Sequence, residues 1–208
     1  MHRLALLLIL LLVGCTTPIV KADVTRFHVM GPAVAAPRSF TIVPQEGQAG
    51  SLEFQSYAEM VAGNLVAQGW RPIAPGSGEA DAVVTVHWGI GQPNTVTWNT
   101  PSSVYGGYGW GPGRHRYGAG IGFPLGDPFP YWETRSATYF PKWLAVEIAD
   151  ARARKAGNRQ VLFEGRAVSE GTRRELAPVM PYLVRALFTG FPGAHGTTVR
   201  VEVPVEGN

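Results

Sequence analysis

"EADAVVTVHWG", residues 79–89, is the stretch that decides the fold, because it carries the strongest strand pattern in the chain. Apolar and more polar side chains alternate along it, as they do in a strand with one buried face. Its apolar face carries three large side chains, Val84, Val86 and Trp88. A strand of this kind needs neighbouring strands and a covering layer, so we expect a sheet with helices packed on it.

Further strands are predicted on either side of this stretch, at residues 24–29, 39–43, 142–150, 161–167 and 197–203. Only Gly and Pro breaks separate the first two of these segments, which favours a hairpin between them. The polar residues 151–160 predict a second hairpin, between 142–150 and 161–167.

Two helices are predicted from apolar residues at 3–4 spacing. The first begins after Ser51, a good N-cap, and ends at Gly69. The second begins around Pro178, where proline is tolerated in the first turn, and ends at Gly190. The expected buried residues are Phe54, Tyr57, Val61 and Leu65 in the first helix and Val179, Leu183 and Leu187 in the second.

These elements predict the order β-β-α-β-β-β-α-β. We expect an α+β fold, a two-layer sandwich in which both helices pack on one face of a mostly antiparallel sheet.

A segment rich in glycine and aromatic residues, "YGGYGWGPGRHRYGAGIGFPLGDPFPYW" at residues 105–132, lies between two predicted strands. Its prolines disfavour a long strand, so residues 92–133 are interpreted as a loop insertion. Three interpretations remain open: a loosely folded hairpin, a surface that binds a partner, or a surface that stacks on glycan. The candidate partner-binding residues are Tyr105, Tyr108, Trp110 and Tyr117, because aromatic side chains dominate interface energetics.

The N-terminus has the pattern of a lipoprotein leader. Arg3 precedes an apolar run, Leu4–Val13, that is too short to span a bilayer and is typical of a signal peptide. "LVGC", residues 12–15, resembles the bacterial lipobox, in which the cysteine thiol receives a lipid. Cys15 is the single cysteine of the chain, which excludes an intramolecular disulfide.

The leader therefore predicts three segments: a signal peptide at 1–14, the lipidated Cys15 with a tether at 15–23, and a single α+β domain at 24–208. Two or three acyl chains anchor a protein stably to a membrane. Thr16 stands where an aspartate would signal inner-membrane retention, so we expect the outer membrane, on the periplasmic side.

Several function classes find no support in the sequence. The 18 basic residues are scattered, so binding of nucleic acid is not expected. Motifs of serine hydrolases, zinc peptidases and phosphate-binding loops are absent. The four histidines after the leader, His28, His87, His115 and His195, lack metal-ligand spacing. We expect no metal, no cofactor and no catalytic residue.

Taken in order, several motifs resemble those of the bacterial lipoproteins of the domain-of-unknown-function family DUF4136. They are the lipobox Cys15, "LVAQGWRP" at 65–72, "EADAVVTVHWG", "WLAVEIADA" at 143–151, "VLFEGRA" at 161–167 and "LFTGFP" at 187–192. Asp81 and Asp150 stand where members of that family often carry aspartate. The resemblance covers roughly residues 24 to 192 and implies no established activity.

Three functions are consistent with these observations. The first is a non-catalytic envelope lipoprotein that is anchored to the membrane and binds or supports another envelope component. The second is a module that binds glycan or a small amphiphile through the aromatic loop. The third is a hydrolase whose site the motifs do not reveal.

Overall fold

The structure is a computed structural model that describes residues 18–29, 38–102 and 131–205. The chain divides into two compact units, one within residues 1–93 and 140–208 and the other within residues 94–139.

The described residues form eight strands and three helices. The strands are β1 Ile19–His28, β2 Ser39–Ile42, β3 Arg71–Pro72, β4 Ala82–Ile90, β5 Asn94–Ser102, β6 Tyr131–Asp150, β7 Val161–Gly171 and β8 Thr198–Pro204. The helices are α1 Leu52–Ala67, α2 Ala151–Lys155 and α3 Met180–Phe188.

The first unit contains a mixed sheet with the strand order β3-β2-β4-β6-β7-β1-β8. The pairs β4–β6, β6–β7, β1–β7 and β1–β8 are antiparallel, whereas β2 pairs in parallel with β3 and β4. The predicted α+β class and the mostly antiparallel sheet are therefore confirmed. The predicted hairpin between 142–150 and 161–167 is the β6–β7 pair.

The predicted hairpin between the first two strands is wrong. β1 pairs with β7 and β8, while β2 pairs with β3 and β4 on the other side of the sheet. Alternation identifies a strand but not its neighbour, because the neighbour depends on contacts distant in sequence. β2 is instead followed by α1, and this helix connects β2 to its parallel neighbours β3 and β4.

The predicted element order also differs from the structure, which adds β3, β5 and α2. β3 has two residues and α2 has five, too few to show a periodicity. β1 begins at Ile19 rather than at Val24, within the segment predicted as a tether. β5 and the first three residues of β6 lie within residues 92–133, the segment predicted as a loop insertion.

The core of the first unit lies between α1, α3 and one face of the sheet. Val61 and Leu65 of α1 and Leu183 and Leu187 of α3 are fully buried in one cluster with apolar side chains of β4 and β6. The two helices pack against each other. The predicted packing of both helices on one sheet face is thus present.

The aromatic residues of α1 extend this core toward the end of β4. The ring of Tyr57 meets Trp88 edge-on at 5.0 Å, and Phe54 stacks on Trp88 at 6.5 Å. Tyr57 is buried as predicted, and burial, reinforced by Glu53, raises the pKa of its hydroxyl to about 12.

The second unit contains one described antiparallel pair, which we call the ribbon: β5 and residues 131–139 of β6. Its register runs from Asn94 opposite Tyr139 to Ser102 opposite Tyr131. Residues 103–130, which connect the two strands, lie outside the described part of the chain.

Candidate functional site

The four aromatic residues predicted to bind a partner, Tyr105, Tyr108, Trp110 and Tyr117, lie outside the described residues. Cys15, the predicted lipidation site, also lies outside them. The ribbon leads directly into the aromatic segment, and its own side chains are described from Asn94 to Thr100 and from Trp132 to Tyr139.

The ribbon exposes large apolar side chains to solvent. Trp132 is 59% exposed, Val96 44% and Trp98 41%. Val96 and Trp98 lie on one face, because they are two residues apart in a strand. Trp98 pairs across the ribbon with Arg135, whose guanidinium binds the carboxylate of Glu133 at 3.0 Å.

The other face of the ribbon is mostly polar, although Trp132 lies on it. The hydroxyls of Thr95 and Thr138 are 2.9 Å apart across the two strands, and the Thr134 hydroxyl donates to the side-chain oxygen of Asn99 at 2.9 Å. One face of the ribbon therefore carries Val96 and Trp98 beside the Arg135–Glu133 ion pair, and the other carries Trp132 beside the polar pairs.

A second candidate lies in the first unit, around Lys142 of β6. This residue is 2% exposed and lines a cavity of about 810 Å³, which we call the lysine cavity. The cavity lies where β1 begins and β7 ends; its other lining residues include Ile19, Val20, Ser169, Gly171, Arg173 and Glu175. Sequence reasoning missed Lys142, because a lysine in a strand is normally exposed.

His87 of β4 lines a smaller cleft of about 410 Å³, on the sheet face opposite the core, together with Glu147 and Arg159. A histidine beside a carboxylate could act as a general acid–base pair. The Glu147 carboxylate, however, accepts hydrogen bonds from both Nε and Nη2 of Arg159. The Glu147 carboxylate is therefore paired with Arg159, and this cleft gives no specific support to the hydrolase hypothesis.

The structure brings together two histidines that the sequence separates, His28 and His195. The backbone N–H of His28 donates to Nδ1 of His195 at 3.1 Å, and the His28 ring donates from Nε2 to the carbonyl of Gly193 at 3.0 Å. Within the described residues, no cluster of three or more metal-binding side chains is found. The pair holds the segment after α3 against β1.

The two aspartates of the family motif have structural roles. Asp81 accepts hydrogen bonds from the hydroxyl of Ser39 at 2.6 Å and from its backbone N–H at 3.0 Å, which joins β2 to the start of β4. Asp150 caps α2 by accepting from the backbone N–H groups of Arg152 and Ala153. Neither lines a cavity described above.

None of the helices in the described part of the chain is both long and apolar enough to cross a membrane.

None of the curated proteins matches the sequence. Among solved structures, the chain is similar to a PDZ domain protein from Parabacteroides distasonis, with 13% identity, a TM-score of 0.45 and coverage of 98% of this chain and 43% of that one. It is also similar to a dodecamer of a PelC variant from Paraburkholderia phytofirmans, with 15% identity, a TM-score of 0.39 and coverage of 81% and 95%.

The chain thus spans less than half the length of the first of these two structures. The family of the chain is shown by a match to a family model. The model for DUF4136, described as a domain of unknown function, matches residues 28–193, which is most of the chain. This chain therefore belongs to the DUF4136 family.

Proposed function

We propose that this chain is a non-catalytic lipoprotein of the bacterial envelope, anchored through acyl chains on Cys15, that binds another envelope protein through the ribbon and the aromatic segment beyond it. The proposed location is the outer membrane, on its periplasmic side. The observation that carries this proposal is the exposure of Val96 and Trp98 on one face of the ribbon.

An isolated two-stranded ribbon is marginally stable in water, and large apolar side chains on it gain little unless they are covered. Val96, Trp98 and Trp132 are each more than 40% exposed. Large exposed apolar side chains that share a face, as Val96 and Trp98 do, are typical of protein-binding surfaces. Val96 and Trp98 share one face of the ribbon and Trp132 lies on the other, so the face with two of these three side chains is the one proposed to meet the partner.

The start of the fold is compatible with a lipid anchor. β1 begins at Ile19, four residues after Cys15. Four residues can span at most about 14 Å, so an acylated Cys15 would hold the beginning of β1 close to the membrane surface.

The proposal is tested by crosslinking intact cells and recovering the full chain from membranes. Val96→Ser and Trp98→Ser should each reduce recovery of the crosslinked partner several-fold. Val199→Ser in β8 is the matched control, because Val199 is exposed to the same 44% as Val96. Equal recovery from Val96→Ser, Trp98→Ser and wild type would contradict binding through the ribbon. A crosslinked partner that a glycan hydrolase degrades and a protease does not would favour the glycan alternative.

Anchoring is tested separately by metabolic labelling with an alkyne fatty acid. Cys15→Ser should lose the label, because only the thiol can form the thioether to lipid. Equal labelling of the variant and the wild type would overturn the proposed lipidation.

A further inference from the structure

Lys142 is a buried cation that makes a single hydrogen bond within the described residues. Its Nζ donates one long hydrogen bond, 3.4 Å, to the carbonyl of Phe140. No carboxylate oxygen of the described residues lies within ion-pair distance of it. An ammonium group has three donors, and a buried charge is costly unless it is paired. Two donors of Lys142 are therefore left for something that enters the cavity.

The lysine cavity has the size and lining of a ligand site. Its volume of about 810 Å³ lies within the range of small-molecule pockets, roughly 300–1,000 Å³. Burial lowers the pKa of Lys142, and the negative charge of Glu175, which also lines the cavity, acts on this pKa in the opposite direction. Lys21 at its rim is already paired with Glu202 at 3.2 Å. Within the described residues, Lys142 and Arg173 are thus the lining cations that form no ion pair, and of the two Lys142 is the buried one.

One side of the same cavity is apolar. Its apolar lining consists of Ile19, Val20, Pro178 and Val179, and Ile19 is 50% exposed. A small inorganic anion could use the ammonium but not this surface, whereas a molecule with an anionic head and an alkyl chain could use both.

We propose that the lysine cavity binds one amphiphile with an anionic head group, a phosphate or a carboxylate, which accepts hydrogen bonds from Nζ of Lys142 while its alkyl chain lies against Ile19 and Val179. All residues that line the cavity belong to the first unit. The inference that this amphiphile is a membrane lipid rests on the proposed function. Its reason is that the first residues of β1 line the cavity and follow the proposed anchor, Cys15, by only a few residues.

The test uses the full chain in dodecyl maltoside, with the midpoint of thermal unfolding followed by tryptophan fluorescence. The probes are dodecyl phosphate, dodecanoate, inorganic phosphate and dodecanol. At about 100 times its Kd, a ligand that binds only the folded state should raise the midpoint by about 5 °C or more for a chain of this size. We expect this rise from dodecyl phosphate or dodecanoate, and less than 1 °C from inorganic phosphate or dodecanol.

Three variants assign the effect to the lysine cavity. Lys142→Met should weaken the apparent affinity at least tenfold. Gly171→Leu keeps the lysine but places a side chain beside it, because a Cβ at Gly171 would lie 3.5 Å from Nζ of Lys142; it should weaken binding similarly. Lys155→Met, which removes an exposed charge elsewhere, should bind like the wild type.

Absence of a rise in the wild type would overturn the inference, as would an undiminished rise in Lys142→Met. An equal rise with inorganic phosphate would overturn the amphiphile as the ligand class. If Lys142→Met does not fold, Gly171→Leu decides the outcome. The labelling experiment on Cys15 tests the lipid anchor, whereas the unfolding midpoints test the lysine cavity. The two proposals can therefore fail independently of each other.

Discussion

Arg26 of β1 is 5% exposed, and within the described residues its guanidinium binds backbone carbonyls rather than a carboxylate. Nε donates to the carbonyl of Leu187 at 3.0 Å, and Nη2 donates to those of Ala186 and Thr189 at 3.0 and 2.9 Å. The last carbonyls of a helix have no partner within it and carry partial negative charge. Arg26 therefore caps the C-terminus of α3 from a neighbouring strand.

The space around this cap requires glycine at position 193. Gly193 has φ +81°, and a Cβ there would lie 2.5 Å from Nη1 of Arg26. Gly193→Ala should cost about 3 kcal/mol of unfolding free energy, from backbone strain and weakened bonds to the guanidinium.

Gly190→Ala is the matched control, because Gly190 has φ +68° but open space around it. It should cost only about 1 kcal/mol. Urea denaturation measures both losses, and equal losses would show that Arg26 is not held as described.

Asp81 makes stability depend on pH. The Ser39 hydroxyl, and then the Ser39 backbone N–H, hold the pKa of the Asp81 carboxyl below its ordinary value. The stabilisation is complete above the unfolded pKa of about 3.9 and is lost as the pH falls through the lower folded pKa. The melting temperature of the wild type should therefore exceed that of Asp81→Asn at pH 6, and the difference should shrink toward pH 3. A difference that stays constant between these pH values would contradict this role.

At the scale of elements, the shorter of the two packing helices is the more buried. Six of the nine residues of α3 are buried, against four of the 16 of α1. α3 packs against α1, β1, β7 and β8. A helix surrounded in this way is apolar on most sides. A prediction based on one stripe of apolar residues therefore gives fewer buried residues than the structure has.

Leu183 tests the packing of α3. The residue is fully buried, so Leu183→Ala should cost about 2–5 kcal/mol of unfolding free energy. Leu52→Ala in α1 is the control, because Leu52 is 79% exposed and its truncation should cost less than about 0.5 kcal/mol. Chemical denaturation of both variants gives the comparison, and a small loss at Leu183 would refute the described core.

The ribbon can be closed without its connecting segment. Ser102 and Tyr131 are paired across the strands, so a two-residue Asn-Gly turn in place of residues 103–130 can join them in the same register. The melting temperature should change by less than about 3 °C, since each unit retains its described elements. Recovery of crosslinked partners should fall if the aromatic segment binds them. Unfolding of the variant would instead show that residues 103–130 are needed for the fold.

At the scale of the whole molecule, the two ends of the first unit meet at one edge of its sheet. β1 and β8 pair along their length, from Ile19 opposite Pro204 to Thr25 opposite Thr198. The backbone N–H of Val205 donates to the carbonyl of Pro18 at 2.8 Å. The beginning and end of the described chain therefore lie together, and an anchor at Cys15 would place both near the membrane.

The sequence by itself determined the features that depend on local periodicity. The faces of β4 and β6, the span of α1, the buried stripe of α3 and the family all follow from patterns within about 20 residues or from their order along the chain. Such patterns are readable because a strand repeats every two residues and a helix every 3.6. The location at the membrane is proposed from the leader, and the binding function is proposed from the exposed side chains of the ribbon.

Only the tertiary structure decided which strands are neighbours and which polar groups are buried. β1 pairs with β7 and β8 rather than with β2, His28 meets His195, and Lys142 is buried in a cavity. Each of these facts joins residues that are distant in sequence. Strand pairing and burial are set by the best packing of the whole chain. The alternation around Lys142 therefore predicts a strand, but not that its ammonium group is buried and forms no ion pair within the described residues.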